Sequence, residues 1–156
     1  MAKATQRQIV AEIVARNDVG HGNGPNWDDY FATVSGGEIS AAVEKVYDGN
    51  STFPEVLCAP AEIGDITISR FFDPDNDIPK LAQIRPLVGM TYYDLTIVTL
   101  NCELREVGSE RVYPKVLLVG LTEPDGDAAS GAPATYSLTF SISTVASEGS
   151  TSAGAI

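Results

Sequence analysis

Apolar and polar residues alternate with a period of two along most of this chain. From Tyr136 to Val145, Tyr136, Leu138, Phe140 and Ile142 alternate with Ser137, Thr139, Ser141 and Ser143, as a strand with one buried face requires. Glu38–Tyr47 reads the same way. Ile39, Ala41, Val43, Lys45 and Tyr47 share one face, and Glu38, Ser40, Ala42, Glu44 and Val46 share the other, which predicts a half-buried strand. Ile66, Ile68 and Phe71 against Thr67 and Ser69 predict another. Tyr92–Glu103 and Arg111–Leu121 add two more. Pro114 marks an edge or a bulge in the second of these, since proline has no N–H to give to a ladder. Residues 1–16 fit both periods: Ile9, Val10, Ile13 and Val14 suit a helical stripe, and Ile9, Ala11, Ile13 and Ala15 suit a strand. Their β-branched content favours an extended arm or strand.

One segment has helical spacing. Asp77 is a good N-cap, Pro79 falls in the first turn, and Ile78, Leu81, Ile84, Arg85 and Val88 recur at helical intervals. Pro86 limits it to a short helix at about 78–88. Asn17–Trp27 is a glycine- and asparagine-rich loop, and Trp27, Tyr30, Phe31 and Val34 then anchor the chain to the body. Residues 48–64 are a long excursion between two strands. Pro54, Pro60 and Gly64 prevent a single central strand, yet Phe53, Val56, Leu57 and Ile63 are apolar. Such a stretch either folds back on its own core or binds a neighbour. The fold class is therefore mainly β with one short flanking helix. A single domain covers residues 1–146, and a small, polar, flexible tail covers 147–156.

Composition agrees with this pattern, since Val, Ile, Thr, Ser, Tyr and Gly prevail. Charge adds a restriction. Ten basic residues face 21 acidic ones, a net charge of −11, and no two Lys or Arg are adjacent. A phosphate-tracking groove is excluded on that ground. The acids are spread through both halves of the chain, which describes a generally negative surface rather than an acidic tail. MAKATQRQ has no apolar core, so no secretory signal is expected, and no apolar run is long enough to span a bilayer. Cys58 and Cys102 have no metal-like spacing and sit among apolar residues. Free buried thiols are expected, with a disulfide as the alternative.

Motifs for chemistry fail one by one. Asp73, Asp75 and Asp77 copy the opening of a calcium loop, but Ile78 stands where glycine is needed and Ile84 where the closing glutamate is needed. A cap and turn cluster is the better reading. His21 is the only histidine and lies in a Gly/Asn loop, with no G-x-S-x-G elbow anywhere in the chain. G-x-G at 20–22 lacks a βαβ context. No catalytic residue, metal site or cofactor is expected, and the protein reads as a non-enzyme.

The order of several short motifs resembles the major tail tube protein of long, flexible-tailed bacteriophages. They are Ser35-Gly-Gly-Glu-Ile39, Glu44-Lys-Val-Tyr-Asp-Gly49, Pro54-Glu-Val-Leu57, Gly64-Asp-Ile-Thr-Ile-Ser-Arg70 and Gly120-Leu-Thr-Glu-Pro-Asp-Gly126. The resemblance spans about residues 25–146. It implies a β-sandwich or barrel subunit with extended N- and C-terminal arms, closing in hexameric rings that stack into a tube in the virion. It also implies assembly in the host cytoplasm with tape measure, terminator and tip proteins. DNA would pass through a negative lumen without specific binding. The family's contact loop corresponds here to Asp48, Gly49, Asn50, Ser51, Thr52, Phe53, Pro54, Glu55, Val56 and Leu57. Glu38, Glu44 and Glu103, expected on strands, are the lumen-lining candidates. Two alternatives stand beside this reading: a β-sandwich carbohydrate- or receptor-binding module, and a tail terminator or head decoration protein.

Overall fold

The computed structural model describes residues 8–16, 24–27, 29–47, 49–50 and 52–142, together with Lys3 and the backbone of Ser147–Glu148. In chain order the elements are β1 (Ile9–Arg16), β2 (Thr33–Gly36), β3 (Ile39–Ala41), β4 (Glu44–Val46), β5 (Glu55–Leu57) and β6 (Ala61–Ile63). They continue with β7 (Ile66–Phe71), α1 (Pro74–Ile84), a 3₁₀ turn at Arg85–Leu87, β8 (Tyr92–Thr99), β9 (Arg111–Thr122), β10 (Thr135–Ser141) and β11 (Ser147–Glu148). The main sheet is antiparallel in the order β1-β8-β9-β10-β7-β2, and β11 lies beside the first residues of β9. The expected mainly β fold is what forms, with one α-helix among the described residues.

The inward face of this sheet carries the core. Ile13, Ile66, Ile68, Tyr93, Leu95, Val116, Leu118, Tyr136, Leu138 and Phe140 are all nearly or fully buried. In β8 and β10 they fall at every second position, as the pattern required. β9 is different: its inward residues are Tyr113, Val116, Leu118 and Leu121, and strict alternation would send some of them outward. Two bulges repair the phase. Tyr93 faces Val116 and Leu95 faces Tyr113, so Pro114 and Lys115 together oppose Asp94. The Asp94 carboxylate holds the bulge by accepting from the Lys115 N–H at 3.0 Å and from Arg16 at 2.9 Å. Lys115 adopts a positive φ of 54° there. A second register shift sits at Val119, opposite the Thr139–Phe140 step. Pro114 thus marks a bulge in a central strand.

Bulges raise local twist, and the sheet curls until its two edge strands meet. Ala11 and Phe31 exchange both backbone hydrogen bonds, at 3.1 and 2.7 Å, across the seam between β1 and β2. Residues 9–16 are therefore a structural edge strand rather than a free arm. Trp27 is buried against Phe31, ring centroids 5.6 Å apart, and Lys80 lies over its ring. It anchors the entry to the seam as expected.

The helix begins earlier than its sequence signals indicate. Asp73, not Asp77, is the N-cap: its side chain accepts from the Asp75 N–H, and Pro74 occupies the first turn. Asp77 is 1 % exposed. One of its oxygens accepts from the Asp73 N–H at 2.7 Å and the other from the Tyr136 hydroxyl at 3.0 Å. An aspartate with two buried donors is a better structural anchor than a cap. Burial, reinforced by the neighbouring Asp77 carboxylate, pushes the Tyr136 hydroxyl well above its ordinary range. Leu81 and Ile84 reach the core, whereas Ile78, expected on that stripe, is exposed. Pro86 ends the regular helix as anticipated. The Asp73–Asp77 cluster is indeed cap and turn chemistry.

Other expectations need correction. The strand assigned to Tyr92–Glu103 stops at Thr99, because the Asn101 side chain accepts from the Glu103 and Arg105 N–H groups and turns the chain. Phe71 is exposed and Phe72 packs on the core in its place. Cys58 and Cys102 are free, as expected, but both are exposed.

Candidate assembly surface

The half-buried strand expected over Glu38–Tyr47 does not exist as such. Two glycines with positive φ, Gly36 and Gly37, carry the chain out of β2. At Gly36 a side chain would lie 2.0 Å from the Asp65 carbonyl oxygen, so only glycine fits where the outgoing and returning chains cross. Beyond them β3 pairs with β6, and β4 with β5, as two short antiparallel ribbons separate from the main sheet. Ile63 ties the root to the core. Pro60 and Pro54, which excluded a central strand, flank these short ribbon strands instead.

The arm bends in the middle. Ala41 faces Ala61 and Glu44 faces Leu57, so Ala42–Val43 opposes the longer Cys58–Ala59–Pro60. The Val43 N–H donates to the Ala41 carbonyl at 3.0 Å, a three-residue γ-turn. Unequal lengths on the two strands kink the ribbon there.

Ile39, Val43, Val46, Tyr47, Phe53, Val56 and Leu57 are exposed along this arm, Phe53 at 80 % and Tyr47 at 66 %. Apolar surface gathered on a protruding element marks an interaction site. A two-stranded ribbon gains little stability by itself, so a surface of this kind suits a partner that completes it. Of the expected contact loop, Gly49 and Asn50 form the turn, Thr52–Pro54 follow it, and Glu55–Leu57 are β5. Asp48 and Ser51 lie outside the described residues, as does His21.

The three lumen candidates are distributed unevenly. Glu38 and Glu44 are exposed at the root and middle of the arm, with Glu62 opposite Ser40 near the root and Glu55 beyond Glu44. Glu103 is exposed on the turn after β8, not on a strand. A different acidic group escaped sequence reasoning. Glu12 from β1 and Glu106 and Glu110 from the β8–β9 loop bring carboxylate oxygens within 4.8 Å of one another. Partial burial first, and then its two acidic neighbours, push the Glu12 carboxyl up. The Tyr30 hydroxyl donates to Glu106 at 3.1 Å. Residues 94 positions apart in the chain carry no shared motif, so only tertiary folding brings these acids together.

A curled antiparallel sheet, one helix at its end and a long ribbon arm make a distinctive set. The fold is similar to that of chains from solved contractile-injection assemblies. A chain from the six-fold symmetrised baseplate of the anti-feeding prophage superposes with a TM-score of 0.68 at 17% identity, over 92% of this chain and 94% of that one. A chain from the tube-terminating cap of the same prophage gives 0.67 at 18% identity, over 93% and 90%. A chain from the sheath–tube complex of an extracellular contractile injection system, PVC, in its extended state gives 0.66 at 20% identity, over 92% and 89%. No family model matches the sequence, and no curated protein matches it. At these identities the likeness is one of fold. Among the described residues no helix is long and apolar enough to cross a membrane.

Proposed function

We propose that this protein is a non-enzymatic tube subunit of a phage-tail-type machine. The observation that carries the reading is the exposed apolar arm, Ile39–Ile63, on a fold similar to chains of tube-bearing assemblies. Rings of six subunits close through joined sheet edges and through the arm, which removes edges that would otherwise recruit strands indiscriminately. The rings stack, with residues 48–57 as the contact segment, and a terminator and a tape measure protein set the length. Exposed acids, Glu38, Glu44 and Glu103 among them, face the bore, and a negative wall lets DNA pass without adhering. The protein then belongs to the virion. The tail-tube part of the sequence resemblance is retained. Its restriction to flexible tails is not, because the similar structures come from the anti-feeding prophage and a contractile system.

Negative-stain electron microscopy of the concentrated protein tests this directly, with rings or tubes of uniform bore expected. Deleting residues 51–62 should leave a folded monomer that forms neither. A deletion variant that still makes tubes would return the arm to a purely structural role. Reversing Glu38 and Glu44 to Lys should leave tubes intact and slow DNA passage, and unchanged infectivity would remove these residues from the bore. A terminating-cap subunit is the second reading, favoured by the likeness to the prophage cap. It predicts single rings that bind tube ends and never stack on themselves.

A further inference from the structure

We propose, on the reading that the arm is the assembly contact, that the cleft between β1 and β2 receives the arm tip of a second copy of this chain, with Phe53 seated between its apolar walls and Glu55 paired to Arg111. The cleft lies at the open end of the curled sheet. It has a volume of about 490 Å³ and is walled by Ile9, Val34, Ile97 and Arg111. Strand register places the Arg111 side chain. Ala11 faces Ile97, and Ile97 faces Arg111. Residues directly opposite in a ladder share a face, and Ala11 and Ile97 are buried in the core. Arg111 is therefore on the core side, at the mouth. The next row, Glu12–Thr96–Val112, belongs to the other face, and Glu110, two residues before Val112, belongs with it. The acidic cluster of Glu12, Glu106 and Glu110 thus lies outside the sheet, away from the cleft. Among the described residues no carboxylate forms an ion pair with Arg111, and no other charged residue walls the cleft.

Apolar walls with one guanidinium suit an apolar side chain followed closely by a carboxylate. The arm carries that pair. Phe53 is 80 % exposed, and Glu55, also exposed, stands two residues further on. Glu38, Glu44, Glu55 and Glu62 on the described arm are set against Lys45 alone, so its charge complements Arg111.

The place where the arm begins decides which copy supplies it. Gly36 lines the cleft, and the chain leaves for the arm from there. From Ile39 to Gly49 it extends about 25–30 Å, at about 3.3 Å per residue, and no residue of the arm lines its own cleft. A copy offset by the length of the arm brings its tip to this point. The contact is heterologous, the tip of one copy meeting the arm root of the next. It repeats along one direction, as stacking requires, and leaves an empty cleft on one terminal copy and a free arm on the other.

Two charge reversals and their combination test the pairing, read as the protein concentration at which sedimentation first detects assembly. Arg111→Glu and Glu55→Arg should each raise it about tenfold or more. The double variant should return to within about threefold of the unaltered chain. Unchanged single variants, or a loss that persists in the double variant, would overturn the docking. If deleting residues 51–62 still abolished assembly, the arm would remain a contact with a different receptor. Cross-linking gives a readout that needs no rings. One chain carries Thr52→Cys and a second, of different mass, carries Ser35→Cys in the cleft wall, both with Cys58→Ser and Cys102→Ser. Mild oxidation of the mixture should give the mixed dimer at about tenfold the yield obtained with Ala82→Cys, exposed on α1, in place of Ser35→Cys. Equal yields would overturn the proposal whether or not tubes form. A mixed dimer without rings or tubes would uphold the docking and overturn the tube.

Discussion

The curled sheet and the arm are built from the same kind of residue and use it in opposite ways. Leu95, Leu138 and Phe140 are fully buried, whereas Val56, Phe53 and Tyr47 are more than half exposed. The sheet satisfies its own apolar face by curling its hydrogen-bonded strands around it. The arm has two short ribbons, and among the described residues no second layer covers them, so its apolar residues are exposed. Stability therefore resides in the sheet, and under the proposed function the arm supplies the contact with another subunit. Alternation alone does not distinguish them.

The largest test sets one region against the other. Phe140→Ala removes a fully buried ring and should cost about 3–5 kcal/mol, a large part of the stability of a domain this size. Val56→Ser in the arm should change urea stability by no more than about 0.5 kcal/mol while preventing ring formation under the microscope. A comparable loss of stability in both variants would erase the distinction between the regions.

A smaller effect is expected where the helix meets the sheet. Asp77→Ala leaves the buried Tyr136 hydroxyl and the Asp73 N–H without their acceptor. It should cost about 2 kcal/mol, read as a fall in Tm of about 4–8 °C. Asp77→Asn retains an acceptor oxygen and should recover part of the loss. Assembly by the arm should survive in the Asn variant.

The smallest concerns the acidic cluster. The folded Glu12 carboxyl is held above the usual 4.5 by burial and by Glu106 and Glu110. Between 4.5 and its folded pKa the native state holds more proton than the unfolded state. Stability contributed by this group is thus complete below 4.5 and is lost as pH rises through the folded pKa. Glu12→Gln should raise Tm at pH 7 by about 1–4 °C, the scale of a partly exposed charge interaction, and change little at pH 4. An equal shift at both pH values would trace the effect to packing rather than charge.

Much of the sheet was legible because period two reports a single buried face. The strand at Ile66–Phe71 was located, though Phe71 was placed on the wrong face. Of the strand expected over Tyr136–Val145, the alternation through Ile142 was read correctly, while residues 143–145 lie outside the described residues. β9 was harder. Its inward residues break the period, and only Pro114 hinted at the first bulge, while nothing local marked the second at Val119. Asp77 misled for a comparable reason: an aspartate before a helical stripe resembles a cap until Tyr136, 59 positions away, is seen to donate to it. Glu38 and Glu44 were identified as exposed acids, and Glu103 was displaced from its strand by the Asn101 turn.

What the sequence determined by itself was local: which segments extend, where one short helix lies, where the turns fall, and that the surface is negative. Steric preference, hydrophobic period and turn chemistry act over a few residues, and these features follow from them. Tertiary structure alone decided which alternating segments would be buried. Glu38–Tyr47 has as regular a pattern as β10, yet among the described residues no second layer covers it. Whether an apolar face ends in a core or on a surface depends on what packs against it, and distant parts of the chain supply that. The same dependence closes the seam at Ala11 and Phe31, gathers Glu12 with Glu106 and Glu110, and leaves the apolar residues of the arm exposed.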